Sequence, residues 1–318
     1  MRLFGRAGRH SRRGESSAMQ PGTFGHDAWS AEIPPEATDP AITQWCDPHF
    51  VAFESGVPPR GKLFLFLCGS HGIPARQQLV TKMAASMGYH AINLSYPNSW
   101  TVGGLCQDRE DADCHGKVRL DILDGLDRSG LVRIGTTNSI RNRLEKLLTY
   151  LAATFATQGW SQFLGTGGVT WTSVVVAGHS QGGGQAAIIA KHHTVARVIM
   201  FAAPVDYVRA ARCHAAWLAQ PGATPADRHF GFVHKDEQGF DRIRRCWELL
   251  GMGATAPLGD VDSGSPPYDH SQRLVTGVDN IRRAKYHGCV VQDNLTPVGI
   301  DGSLVFEPVW RYLLGEDR

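Results

Sequence analysis

The sequence predicts an α/β protein built on a doubly wound, mainly parallel sheet, with insertions above it. Three observations carry this. Short unbroken apolar runs such as Leu63–Leu67 and Trp171–Ala177 have the look of strands buried on both faces, the usual state in parallel sheets. Helical periodicity alternates with these runs, most clearly over Ser139–Phe155, where Ile140, Leu144, Leu147, Leu148 and Leu151 share one face. Finally, the run at Val174 enters Gly178-His179-Ser180-Gln181-Gly182, and a helical stretch follows at once.

The elements follow in order. Phe50–Glu54 is a short strand, closed by Pro58 and Pro59, and Leu63–Leu67 is the next. A helix over about Arg76–Met87 stops at Gly88. His90–Tyr96 is a strand that ends at Pro97. After the 139–155 helix come the strand Trp171–Ala177, a helix over Gln185–Lys191 and the strand Ala196–Ala202. His229–His234 and Arg273–Thr276 are the last predicted strands, with helices at Asp241–Leu250 and Glu307–Leu314. Two stretches break the alternation, about 98–136 and 207–227, and are expected to rise above the sheet as lid-like insertions.

Residues 1–30 are expected to be a basic, disordered arm, and 31–318 a single domain. Arg2, Arg6, Arg9, Arg12 and Arg13 crowd the first thirteen residues, so a chain of formal charge +2 is net acidic outside its arm. A nucleic-acid partner is therefore not expected, since it would need a basic face on the folded domain. The arm has an Arg–Ser bias but no apolar segment of the kind that marks a secretory signal, and Met19 is a second candidate start. Nothing in the sequence is long and apolar enough to span a membrane. Seven cysteines leave at least one unpaired; Cys106 with Cys114 and Cys213 with Cys246 are the candidate disulfides, free thiols the alternative. Short-spaced loop cysteines suit an oxidising compartment while the arm does not, so the localisation stays open between cytoplasmic and exported.

The chemistry is concentrated at Ser180. A serine on a sharp strand-to-helix turn needs small residues two before and two after, and the turn lifts its hydroxyl above the carboxyl edge of the sheet. The helix that follows directs its positive N-terminal end at the same place. A phosphate-binding glycine turn is the competing reading, but it would follow the first strand with different glycine spacing.

With its flanking strands, Gly178-His179-Ser180-Gln181-Gly182-Gly183-Gly184 resembles the α/β-hydrolase superfamily over about residues 50–318. Phe201–Asp206 and Tyr286-His287-Gly288 add a likeness to a poorly characterised bacterial branch with exported members. The resemblance implies a Ser–His–acid triad and an oxyanion hole. Gln181 supplies one hole N–H, and Ser70, in Cys68-Gly69-Ser70, the other, with His71-Gly72 as the alternative. A cysteine stands where the superfamily usually has histidine. His287 is the base, because the base comes last in this order and His287 is the histidine beyond the Arg273–Thr276 strand. The acid is expected after His229–His234: Asp236, then Glu237, with Asp206 and the Asp260/Asp262 loop as further candidates. His234 is expected near the site. His192 and His193 are expected at a solvated helix end, and Trp100, Tyr207 and Trp217 line the pocket or pack in the core.

The expected activity is hydrolysis of a small-molecule ester-type substrate through an acyl-enzyme, rising with pH as His287 loses its proton. An acyltransferase and a non-catalytic hydrolase-fold binding module are the alternatives. No metal-ligand spacing or cofactor fingerprint is present, so neither a cofactor nor a metal is expected.

Overall fold

The computed structural model describes residues 28–253, 257–279 and 285–316. The basic arm thus lies, but for its last three residues, outside them. Among the described residues nine strands form one sheet: β1 (Ala28–Ile33), β2 (His49–Glu54), β3 (Leu63–Leu67), β4 (His90–Leu94), β5 (Val174–His179), β6 (Arg197–Phe201), β7 (His229–His234), β8 (Gly259–Asp260) and β9 (Arg273–Thr276). Their order across the sheet is β1-β2-β4-β3-β5-β6-β7-β9-β8. From β4 to β8 every pairing is parallel, while β2 runs antiparallel to both β1 and β4.

Burial explains why the middle strands read as continuous apolar runs. Every side chain of β3 is fully buried, and β5 and β7 are buried along their whole length. Alternation is absent because both faces are covered. β1 was not predicted. Its sequence, Ala28-Trp29-Ser30-Ala31-Glu32-Ile33, is half-exposed and owes its strand state to pairing with β2 at the sheet edge. The two-residue β8 was likewise hidden within a loop.

The helices that matter for the site are α1 (Leu79–Ser86), α2 (Val102–Cys106), α3 (Cys114–Asp124), α4 (Ile140–Thr154), α5 (Gln181–His192), α6 (Phe240–Leu249) and α7 (Tyr286–Cys289). The 98–136 stretch therefore holds two helices not foreseen in it. The Cys106–Cys114 disulfide forms and staples the end of α2 to the start of α3, with Cα atoms 5.9 Å apart. Cys213 and Cys246 do not pair: both are free thiols, Cys246 buried on the inner face of α6. Among the described residues no helix is long and apolar enough to cross a membrane.

The strand order fixes where chemistry can happen. The chain leaves β3 toward β4 on one side, then returns over β3 to build β5, β6 and β7 on the other. The loops after β3 and β5 consequently diverge at the carboxyl edge and leave a crevice between them. In open α/β sheets this switch point is where ligands bind.

Candidate active site

Ser180 occupies that switch point. Its backbone has φ 54° and ψ −117°, a strained conformation for a residue with a side chain. The surroundings over-determine it: Ser180 N donates to Phe201 O (2.9 Å), and Gly184 N donates to Ser180 O (3.1 Å). The two motif glycines are required by close approach. A Cβ on Gly178 would lie 2.3 Å from the Gly182 carbonyl carbon, and one on Gly182 would lie 2.0 Å from Leu67 O. The third glycine of the following run has a separate reason, since a Cβ on Gly184 would lie 2.2 Å from the Arg119 guanidinium.

Arg119, on α3, is the residue that sequence reasoning missed. It makes a buried two-point contact with Asp206 (2.7 and 2.6 Å) and donates to the Gln181 carbonyl (3.0 Å). Trp217 Nε1 donates to the same carboxylate at 3.0 Å. Asp206 thus ties both insertions to the head of α5, and its carboxylate is spoken for by Arg119 and Trp217 rather than by His287. Trp217, 3% exposed, belongs to this buried cluster. Burial works to raise the Asp206 pKa, but the Arg119 charge and hydrogen bonds outweigh it and hold it at about 2. A depressed carboxylate contributes stability that is present above its unfolded pKa and lost as pH falls through the folded one. That window runs from about pH 4 down to about pH 2. Asp206→Ala is expected to cost about 3–5 kcal/mol in urea unfolding at pH 7, because it strands a buried guanidinium.

On the other side of the crevice, the loop after β3 is held from the loop after β4. Tyr96 OH donates to Cys68 O (2.6 Å), and Asn98 Nδ2 donates to the carbonyls of Gly69 (2.9 Å) and Gly72 (2.8 Å). A Cβ on Gly69 would sit 3.2 Å from Ser180 Cβ, so this loop abuts the elbow. Ser70 Oγ donates to Gln181 Oε1 at 2.8 Å, which brings together the two residues expected to supply oxyanion donors. Gln181 is the first residue of α5, where an N–H has no intrahelical acceptor. The His71 N–H is already given to Asn98 O (2.8 Å), while among the described residues no backbone carbonyl takes that of Ser70. The geometry therefore favours Ser70 over the His71 alternative.

His287 lies on the single-turn helix α7, with its side chain 41% exposed. Its Nδ1 is 3.1 Å from Glu237 Oε1. Here the structure departs from the expected acid. Asp236 points away, its side chain 63% exposed, and its carboxylate comes no nearer than 4.0 Å to His234. The turn explains the difference. Asp236 N donates to His234 Nδ1 (3.0 Å) and Glu237 N to His234 O (3.1 Å), which rotates residue 237, not 236, toward α7. Gly239 N then donates to Glu237 Oε1 at 3.2 Å. Burial works to raise the Glu237 pKa; the hydrogen bond and charge of His287 outweigh it, and the net shift is downward. Lys235 pairs with Asp260 (2.7 Å), and Asp262 accepts from Thr276 (2.6 Å), so both of these late acids are taken by partners other than His287.

His234 is buried beneath this turn. It stacks on Tyr286 with ring centroids 4.4 Å apart and contacts Val278 O through Nε2 (3.0 Å). It packs against the elements that carry Glu237 and His287. His193 lies outside the site, stacked on Trp171 at 4.6 Å, and Trp100 packs edge-on against Trp45 at 5.4 Å. Among the described residues no hydrogen bond joins Ser180 Oγ to His287. Such contacts are often long until substrate draws them in. A depression of about 600 Å³ opens beside His287, lined by Asp236, Glu237, Lys285 and Gln292 among others. Among the described residues no cluster of metal-ligating side chains occurs.

No protein-family model and no curated protein matches the chain. Among solved structures it is similar to esterase B of Lactobacillus rhamnosis, at 10% identity and TM-score 0.41, covering 79% of this chain and 75% of that one. It is also similar to a bacterial heroin esterase (11%, TM-score 0.39, 80% and 76% covered). A third is an esterase from the bacterial hormone-sensitive lipase family (12%, TM-score 0.37, 71% and 72% covered). The chain's own strand order, with a strained serine at the switch point, decides the fold. It is the α/β-hydrolase fold. Within that fold, Ser180 lies at the turn from β5 into α5, Ser70 in the loop after β3 and His287 on α7, beyond β9.

Proposed function

We propose that the protein is a serine hydrolase that cleaves an ester-type bond of a small molecule by way of an acyl-enzyme. The observation that carries this is Ser180, held at φ 54° and ψ −117° at the head of α5. Such strain persists where the surrounding structure serves a site, and it lifts the hydroxyl into the crevice.

In this reading His287 removes the Ser180 proton as Oγ attacks the carbonyl carbon. The oxyanion is received by the N–H groups of Ser70 and Gln181, each worth roughly 2.7–4 kcal/mol to the transition state. Glu237 holds the His287 tautomer through Nδ1 and stabilises the imidazolium. His287 then passes its proton to the leaving oxygen, the C–O bond breaks, and a water deprotonated by the same ring releases the acid. The two insertions form the walls of the substrate pocket.

A p-nitrophenyl ester of a short acid tests the reading. A burst of about one equivalent of p-nitrophenol, followed by slower turnover to the free acid, is expected. Absence of both burst and turnover across a series of acyl lengths would sink it. An alcohol added as second acceptor separates transferase from hydrolase by the product formed.

A further inference from the structure

Acyl transfer does not itself require a histidine between Gly178 and Ser180, yet the position holds a deeply buried one. The His179 ring is 2% exposed. Its Nε2 lies 2.8 Å from the backbone carbonyl of His287, which makes it the N–H donor there, and its Nδ1 lies 3.5 Å from Gln292 Nε2. The two imidazoles are in contact, centroids 4.8 Å apart and planes at 55°. Nδ1 also faces the loop after β3, where a Cβ on Gly69 would come within 3.0 Å. One buried ring therefore touches the elbow, the oxyanion loop and the loop of the base.

His287 needs such an anchor. It stands on a helix of one turn, too short to be stable alone, and its side chain is well exposed. Glu237 holds one ring nitrogen and Tyr286 stacks on His234, while the His287 carbonyl itself is held by His179. We propose that His179 is a positioning residue, which sets His287 over Ser180 through the carbonyl hydrogen bond and the ring contact. The inference rests on His287 being the base. Burial first, and then the neighbouring His287 charge, hold the His179 pKa at about 3. The ring thus stays neutral wherever His287 works and adds no charge of its own.

The test is the second-order rate at which a small fluorophosphonate labels Ser180, with thermal melts to verify folding. His179→Phe keeps the ring volume and removes the donor; a roughly tenfold slower rate is expected, the scale of one hydrogen bond. His179→Gln, whose amide reaches the same carbonyl, should recover the rate to within about threefold of wild type. In a His287→Ala background, His179→Phe should change the rate by less than about twofold, because its effect passes through the missing ring. Should His179→Phe not fold, Gln292→Leu gives a smaller loss with the same cancellation. An equal loss in both backgrounds, no loss at all, or no recovery with Gln overturns the positioning role. If His287→Ala itself labels as fast as wild type, the base assignment falls, and this inference with it.

Discussion

Glu237→Gln is expected to lower kcat/KM by roughly 10³–10⁴-fold, while Asp236→Asn stays within about twofold of wild type. The two residues are adjacent and both acidic, so charge alone predicts similar effects. Geometry predicts opposite ones. Glu237 is 3.1 Å from His287 Nδ1 with its side chain 10% exposed, whereas Asp236 faces solvent. An amide at 237 offers either a donor that turns the His287 tautomer the wrong way or a neutral acceptor that does not stabilise the imidazolium. Steady-state kinetics on the two variants decides it. Because the Glu237 pKa is shifted downward, the contact is fully formed above the ordinary glutamate range and is lost only as pH falls below it.

Ser180→Ala is expected to have the largest effect, a loss of about 10⁶-fold in kcat. Residual turnover, if measured, reflects the oxyanion donors and binding alone. The variant should fold as well as wild type or better, because alanine relieves nothing but a hydroxyl while the surrounding glycines keep the turn. Circular dichroism and a melt separate lost chemistry from lost structure. The double variant Ser180→Ala/His287→Ala should be no slower than Ser180→Ala, since the two groups act as one unit.

Much of this was legible in the residues, and the illegible parts share a cause. β3 and β5 could be read because burial on both faces leaves an uninterrupted apolar imprint. The elbow could be read because Gly178 and Gly182 are demanded by contacts under 3 Å. β1 could not, since an edge strand's state depends on the partner it pairs with. The carboxylate beside His287 is Glu237, one residue beyond the expected Asp236, because the turn after β7 is set by backbone N–H groups that donate to His234, which leaves no trace in composition. Arg119 was hidden more thoroughly. Its role comes from meeting Asp206 and Gln181 across the fold, and the only hint was a glycine, Gly184, that the elbow motif does not need.

The central claim is an activated Ser180. Intact-mass analysis after incubation with a fluorophosphonate probe tests it most directly, with peptide mapping and Ser180→Ala alongside. A single adduct on the peptide carrying Ser180, absent from the variant, is the predicted result. An unlabelled wild type with probes of every size, or an adduct that persists in Ser180→Ala, would contradict the account and leave the hydrolase fold as a binding scaffold.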